Sequence, residues 1–180
     1  MTYEIILQKN DIDRMLTRIT HEILEEHRGA ENLGLIGIQT RGVHIARRIK
    51  NIINKIEGVK IPVGILDITL YRDDWTRKSR HPVVKATDIP FAVNDKKIIL
   101  VDDVLFTGRT TRAAMDAMID FGRPERIELA VLIDRGHREL PIMANYVGKF
   151  VYTKHSETVN VLLLEQDEVE RVEKNGDRKT

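Results

Sequence analysis

The stretch Ile98-Ile99-Leu100-Val101-Asp102-Asp103-Val104-Leu105-Phe106-Thr107-Gly108-Arg109-Thr110-Thr111 limits the possible folds more than any other part of the chain. Its successive aliphatic residues leave no polar face for water. Lys96 to Val101 therefore reads as a strand covered on both sides, the condition of a parallel sheet with helices on each face. Two carboxylates and a small, hydroxyl-rich turn follow directly. A helical pattern then runs from Gly108 to Phe121, closed by Gly122 with Pro124 just beyond.

The same strand-turn-helix order occurs earlier. Leu33 to Gln39 reads as a buried strand, and after Gly42 the residues Val43, Ala46, Ile49, Ile53 and Ile56 form a helical stripe. From Asp11 to His27, with Asp11 as cap, Ile12, Met15, Leu16, Ile19 and Ile23 form another. Val59 to Leu70 and Arg126 to Ile133 add strands, and Lys149 to Tyr152 and Thr158 to Leu164 add short ones. Such alternation predicts an α/β domain whose ligands collect beyond the carboxyl ends of the strands. A single domain over 1–180 is expected, in keeping with a length of 180 residues. Two segments fall outside the alternation. The basic, apolar-poor stretch at about 71–86 suits an arm or loop, and the polar tail at about 165–180 is expected to fray.

Composition excludes several classes. With 42% hydrophobic and 32% charged residues the chain can bury a core, so wholesale disorder is ruled out. Lys plus Arg is 29 against 28 for Asp plus Glu, so any nucleic-acid surface must be local. The absence of cysteine removes disulfides, thiolate metal sites and a cysteine nucleophile. No run approaches the roughly 18 apolar residues of a membrane span, and Met1 to Asn10 lacks a signal-peptide pattern, so a cytoplasmic location and no membrane partner are expected.

The acidic strand end has a specific chemical use. Backbone N–H groups from Phe106 to Thr110 at a helix start can wrap a phosphate, helped by the hydroxyls of Thr107, Thr110 and Thr111, and Gly108 permits close approach. Carboxylates just before that cradle can accept hydrogen bonds from vicinal sugar hydroxyls and favour a cationic sugar carbon, so a ribose 5-phosphate fits. The plainer alternative is that Asp102 and Asp103 cap a turn. Response regulators also carry an acidic pair after an apolar strand, but the 78 residues after Asp102 are too few for the rest of that fold. Neither G-x-x-x-x-G-K-[ST] nor a G-x-G-x-x-G after a strand is present.

At these residues the sequence resembles the type I phosphoribosyltransferases, whose signature is an apolar run, two acids and a Thr-Gly or Ser-Gly turn. Gly37-Ile38-Gln39-Thr40-Arg41-Gly42, Asp67-Ile68-Thr69-Leu70-Tyr71-Arg72-Asp73-Asp74 and Asp134-Arg135-Gly136-His137-Arg138-Glu139-Leu140-Pro141-Ile142 narrow the resemblance to the PyrR family, pyrimidine operon attenuators with uracil phosphoribosyltransferase activity. The resemblance implies a central, mostly parallel sheet flanked by helices, with a small hood and a flexible arm. Asp102, Asp103, Val104, Leu105, Phe106, Thr107, Gly108, Arg109 and Thr110 would bind the ribose phosphate of phosphoribosyl pyrophosphate. Thr40 and Arg41 would take its pyrophosphate, and Arg72, Arg77 and Lys78 would close over it. Mg²⁺ would be held mainly by substrate and water. Uracil would attack C1 of the sugar to give UMP and pyrophosphate. In that step Asp103 is assigned to transition-state electrostatics and Asp102 to the ribose hydroxyls, although either can be an orienter only. Arg135, Gly136, His137 and the backbone near Val159 would form the base pocket, with a plain turn or RNA-facing role open for His137.

The resemblance also implies regulation. Arg14, Thr17, Arg18 and His21 share one side of the first helix, opposite its apolar stripe. Thr17, Arg18, His21, Arg138 and Lys149 occupy positions with which the family binds the pyr mRNA leader, on a homodimer or higher oligomer, under control of UMP or UTP. One departure weakens that footprint: Met143 stands where family members often have arginine. Two alternatives stay open, a salvage phosphoribosyltransferase without RNA binding and a regulator with vestigial catalysis.

Overall fold

The computed structural model describes residues 3–71 and 86–176. Arg72, Arg77 and Lys78 lie outside the described residues. Five strands form the main sheet: β2 (Leu33–Ile38), β3 (Val63–Leu66), β4 (Lys97–Leu105), β5 (Arg126–Asp134) and β6 (Tyr146–Phe150). They lie in the order β3-β2-β4-β5-β6, and every neighbouring pair is parallel. Burial explains the apolar runs. All six residues of β2 are buried, as are Ile98 to Asp102 of β4 and Glu128 to Asp134 of β5, because helices cover both faces.

α1 (Lys9–His27) and α2 (Arg41–Glu57) pack on one face through Ile12, Leu16, Ile19 and Ile23 and through Val43, Ala46, Ile49 and Ile53. α3 (Arg109–Ile119) covers the other face with Ala113, Ala114, Ala117 and Met118. Both predicted stripes are realised, except that Ile56 is exposed in the last turn of α2. α1 starts earlier than its stripe suggests. Gln8 is the cap, and Asp11 sits in the first turn, where its Oδ2 accepts the Gln8 N–H at 3.0 Å. This is the reciprocal half of a capping box and not the cap itself.

Three further strands form an antiparallel sheet of order β1-β8-β7: β1 (Tyr3–Gln8), β7 (Thr158–Leu162) and β8 (Arg171–Asn175). This is the hood, made from both ends of the chain. Its Leu7, Val159, Val161 and Val172 join the core beneath α1 and α2. The expectation of a fraying tail is therefore corrected for Arg171–Asn175, the middle strand of the hood. β8 has one buried apolar residue, Val172, too little for a periodic signal. It is held by backbone pairing on both edges and by ion pairs such as Lys174 with Glu4 at 3.0 Å. Other boundaries shift. The strand expected over Val59 to Leu70 spans Val63–Leu66 before a 3-10 turn at Thr69–Tyr71, and that expected over Lys149 to Tyr152 is Tyr146–Phe150.

At the end of the sheet where β5 and β6 begin, a buried polar triad ties α1 down. Glu128 Oε2 lies 2.8 Å from His27 Nε2 and accepts the Tyr146 hydroxyl at 2.8 Å, while Arg126 Nη1 donates to Oε1 at 2.9 Å. Burial alone would raise the Glu128 carboxyl, but the bonds from Tyr146, His27 and Arg126 outweigh it and hold the group below its ordinary value. A depressed folded value gives stability that is full above the unfolded carboxyl range, near pH 4.3, and is lost as pH falls through the folded value. Glu128→Gln is therefore expected to cost about 1.5–3 kcal/mol at neutral pH. The gap in melting temperature from the parent should narrow between pH 7 and pH 3, and a constant gap would contradict this account.

Candidate active site

The sheet order fixes where a site can form. After β2 the chain turns outward to β3 and then returns to place β4 on the other side of β2. α2 leaves β2 toward one face and α3 leaves β4 toward the other, so the loops diverge between the carboxyl ends of these two strands. The residues there are Thr40 and Arg41 after β2 and Asp102 to Gly108 at the end of β4.

β4 runs on through the acidic pair to Leu105, past the strand end expected at Val101. The carboxylates thus ride on a paired strand, with Asp102 opposite Val131 of β5. Asp102 Oδ1 accepts the Asp103 N–H and Asp103 Oδ1 accepts the Val104 N–H, both at 2.9 Å. Each carboxylate is thereby oriented by the amide that follows it, and Asp102 is buried. Val104 and Leu105 complete the strand, Leu105 in the core.

The turn after β4 is braced on its carbonyl side. Thr107 O accepts the N–H groups of Glu139 and Leu140, and Phe106 O accepts Arg138 Nη1 at 2.7 Å. Gly108 caps α3 with φ +89°, which a residue with a β-carbon adopts only under strain. Of the first-turn amides of α3, that of Arg109 donates to Thr107 Oγ1 at 3.4 Å, and those of Thr110 and Thr111 have no acceptor within the helix, as at any helix start. Arg109 itself pairs with Glu139 at 2.7 Å on the surface.

The start of α2 lies against β4 at the acidic pair. A β-carbon on Gly42 would fall 2.2 Å from the Val101 carbonyl oxygen and 3.2 Å from the Asp102 Cα. The start of α2, which follows Thr40 directly, is therefore held against the backbone of Val101 and Asp102 by a contact that only glycine allows. The Arg41 guanidinium is bound by Asp167 of the hood through Nε at 3.3 Å and Nη2 at 3.0 and 3.2 Å.

Beyond the end of β5, Arg135 lies over the Phe106 ring, its guanidinium carbon 4.0 Å from the centroid. Its Nη2 donates to the carbonyls of Lys154 and Glu157 in the β6–β7 connection, which ties the hood to the sheet. Burial pushes this guanidinium below its ordinary value, against the opposing pull of Glu157. Its buried Nε has no hydrogen-bond partner among the described residues. His137, at φ +61°, sits with Nε2 2.7 Å from Thr153 O, and its ring, Phe106 and His155 lie mutually 5.5–6.0 Å apart. Val159 is buried in β7.

The phosphoribosyl transferase domain family matches residues 2–161. Over 170 residues the chain is 61% identical to "Bifunctional protein PyrR" of Caldicellulosiruptor bescii, covering 94% of this chain and 93% of that protein. It is 56% identical over 168 residues to the protein of the same name from Deinococcus radiodurans, covering 93% and 92%. The chain belongs to the PyrR family. Among solved structures it resembles a hypoxanthine phosphoribosyltransferase of Staphylococcus aureus with a TM-score of 0.65 at 17% identity, covering 84% of this chain and 79% of that one. A Trypanosoma cruzi hypoxanthine phosphoribosyl transferase gives 0.68 at 15% identity, covering 83% and 78%. The fold of this PyrR-family chain is the type I phosphoribosyltransferase fold, with its five-stranded parallel sheet.

The residues implied for RNA divide into two groups. Thr17, Arg18 and His21 share the outer side of α1, which packs beside edge strand β6, where Lys149 is exposed. Arg18 Nη2 donates to the β6 carbonyls of Val147 at 3.0 Å and Gly148 at 2.5 Å, so this arginine also fastens α1 to the sheet edge. Arg138 stands apart from them in the loop after β5. Its guanidinium donates to Phe106 O, Gly136 O, Ile142 O and the Asp134 carboxylate, and a phosphate there must compete with all four. Sequence reasoning missed the anchoring role of Arg138, the ring of His155 and the carboxylate of Asp167, since no local pattern marks contacts between such distant segments. Among the described residues no helix is long and apolar enough to cross a membrane.

Proposed function

We propose that the chain transfers a 5-phosphoribosyl group from phosphoribosyl pyrophosphate to uracil and binds the pyr mRNA leader under control of UMP or UTP. The observation that supports the first half is the contact of Gly42, the residue after Thr40 and Arg41, with the β4 backbone at Val101 and Asp102. Uracil N1 forms a bond to C1 of the ribose as the bond from C1 to the pyrophosphate oxygen breaks. The leaving group takes the electron pair, and the N1 proton passes to solvent. Asp103 stabilises the cation-like sugar carbon, Asp102 accepts from ribose hydroxyls, and the amides from Phe106 to Thr110 receive the 5-phosphate. Arg41 neutralises the departing pyrophosphate. The buried Nε–H of Arg135, without a partner among the described residues, supports a base pocket beside Phe106 and His137 with Val159 in its wall.

No group of three or more His, Asp or Glu side chains converges among the described residues. Mg²⁺ would be carried on substrate oxygens and water, with Asp102 and Asp103 the site residues suited to join its shell. When bound it supplies charge neutralisation to the pyrophosphate. Pyrophosphate release screened over uracil, hypoxanthine, guanine and orotate tests the enzymatic reading: uracil should be the preferred base, and preference for a purine would refute it.

The RNA half rests on the strip formed by Thr17, Arg18, His21 and Lys149. Arginine and lysine there position phosphates, and exposed loop bases give the discrimination. Exposed Met143, Phe150 and Tyr152 around a pocket of about 440 Å³ support a homodimer. One observation favours the second reading, a salvage enzyme without RNA binding: Met143, 84% exposed, offers no charge. Leader affinity measured across a salt series with and without UMP decides between them. RNA binding predicts tighter association with UMP and a salt slope that falls by about one unit in Lys149→Ala. No slope and no UMP effect leave the salvage reading.

A further inference from the structure

Arg41 is bracketed by an acidic hood segment. Asp167, in the turn after β7, takes Arg41, while Glu165 and Glu170 take Arg48, two helical turns further along the same side of α2. The Asp167 carboxylate is fixed from its own side: its Oδ2 accepts the Leu163 N–H at 2.9 Å, and its N–H donates to Leu163 O at 2.6 Å. Leu163 is fully buried. Burial would raise the Asp167 carboxyl, but the Leu163 amide and Arg41 together hold it below its ordinary value, so it is anionic at neutral pH. The contacts to Arg41 use Nε and Nη2, and Nη1 takes no part in them.

We propose that Asp167 is a positioning residue for phosphoribosyl transfer, holding the Arg41 guanidinium by one edge so that the Nη1 edge is left for pyrophosphate. The proposal rests on the reading of Arg41 as the pyrophosphate ligand. An arginine at a helix start otherwise loses considerable rotamer freedom when it binds an anion, and a guanidinium already ordered by a fixed carboxylate avoids most of that loss. The geometry distinguishes this role from that of a placeholder that pyrophosphate must expel. A placeholder needs freedom to leave, whereas Asp167 is anchored at both its backbone and its carboxylate. The link also runs from the base end of the hood to the pyrophosphate loop, since Val159 and Leu163 belong to the same segment as Asp167.

The two roles predict opposite signs. In steady-state assays with uracil and Mg²⁺, Asp167→Asn should raise KM for phosphoribosyl pyrophosphate about 3- to 10-fold, change kcat less, and leave KM for uracil unaltered. A fall in KM for phosphoribosyl pyrophosphate, or no change in it, overturns the proposal. Asn keeps an oxygen for the Leu163 amide. If its melting temperature drops, Asp167→Glu, which keeps the charge but displaces the fork, should give a smaller rise in the same direction, and the same results would overturn it. Arg41→Ala separates the two readings. If it leaves KM for phosphoribosyl pyrophosphate unchanged, the assignment of Arg41 fails and the inference with it. If it raises that KM, Asp167→Asn should add less than about twofold in the Arg41→Ala background, and effects that multiply in full would refute action through Arg41 alone.

Discussion

Replacing Asp102 and Asp103 together with asparagine is expected to lower uracil-dependent pyrophosphate release by at least about 100-fold, with melting temperature close to that of the parent. Each carboxylate accepts the amide that follows it, and an asparagine oxygen can keep those bonds. What disappears is the pair of negative charges beside the sugar carbon at which positive charge develops. Single substitutions should separate the assigned roles. Asp103→Asn should act mainly on kcat, and Asp102→Asn should also raise KM for phosphoribosyl pyrophosphate, because hydroxyl contacts are made in the ground state as well. Activity near the parental level in a folded double variant would remove the acidic pair from the mechanism.

Gly42→Ala is expected to be strongly destabilising although it adds a single methyl group. The added carbon would stand 2.2 Å from the Val101 carbonyl oxygen and 3.1 Å from its carbon, both backbone atoms of the central strand, so no side chain can move aside. The start of α2 must lift away from β4 or the strand must bend. A cost of about 3 kcal/mol is expected, read as a lower urea midpoint. Because Thr40 and Arg41 move with the helix, affinity for phosphoribosyl pyrophosphate should fall well beyond what lost stability explains. Gly176→Ala, where an added carbon meets nothing within 4 Å, is the control and should change neither quantity. A stable Gly42→Ala protein with full affinity would show that this contact does not position the loop.

The strands and helices of the main sheet were legible because their burial is two-sided or amphipathic and so leaves a periodic trace. The apolar runs of β2, β4 and β5 and the stripes of α1 and α2 lie where those patterns place them. Of the hood, only β7 was legible in the residue pattern, as the strand expected over Thr158 to Leu164; the hood as a unit was implied by family resemblance. β8 carries one buried apolar residue, and β1 only Leu7 as a fully buried one. Neither strand has a face distinct enough to betray itself until its neighbours supply hydrogen-bond partners. The end of β4 was misplaced for a related reason, since two carboxylates look like the close of a strand although their backbones continue the ladder with β5.

The composition of the candidate site was written in the chain: two acids, a hydroxyl-bearing turn with a glycine, and an arginine after the preceding strand. Local spacing is enough to show these, because each group acts within a few residues of its neighbour. The partners of those groups depend on three-dimensional packing. Asp167 reaches Arg41 across more than a hundred residues of sequence, and Arg138 turns inward to Phe106 and Asp134. Arg18 fastens α1 to β6 as well as facing outward. Charge type and spacing are local properties of a polypeptide. Which carboxylate or carbonyl meets a given guanidinium depends on how the hood, helices and sheet close on one another, and that closure is driven by a core whose apolar contacts carry no information about polar pairing.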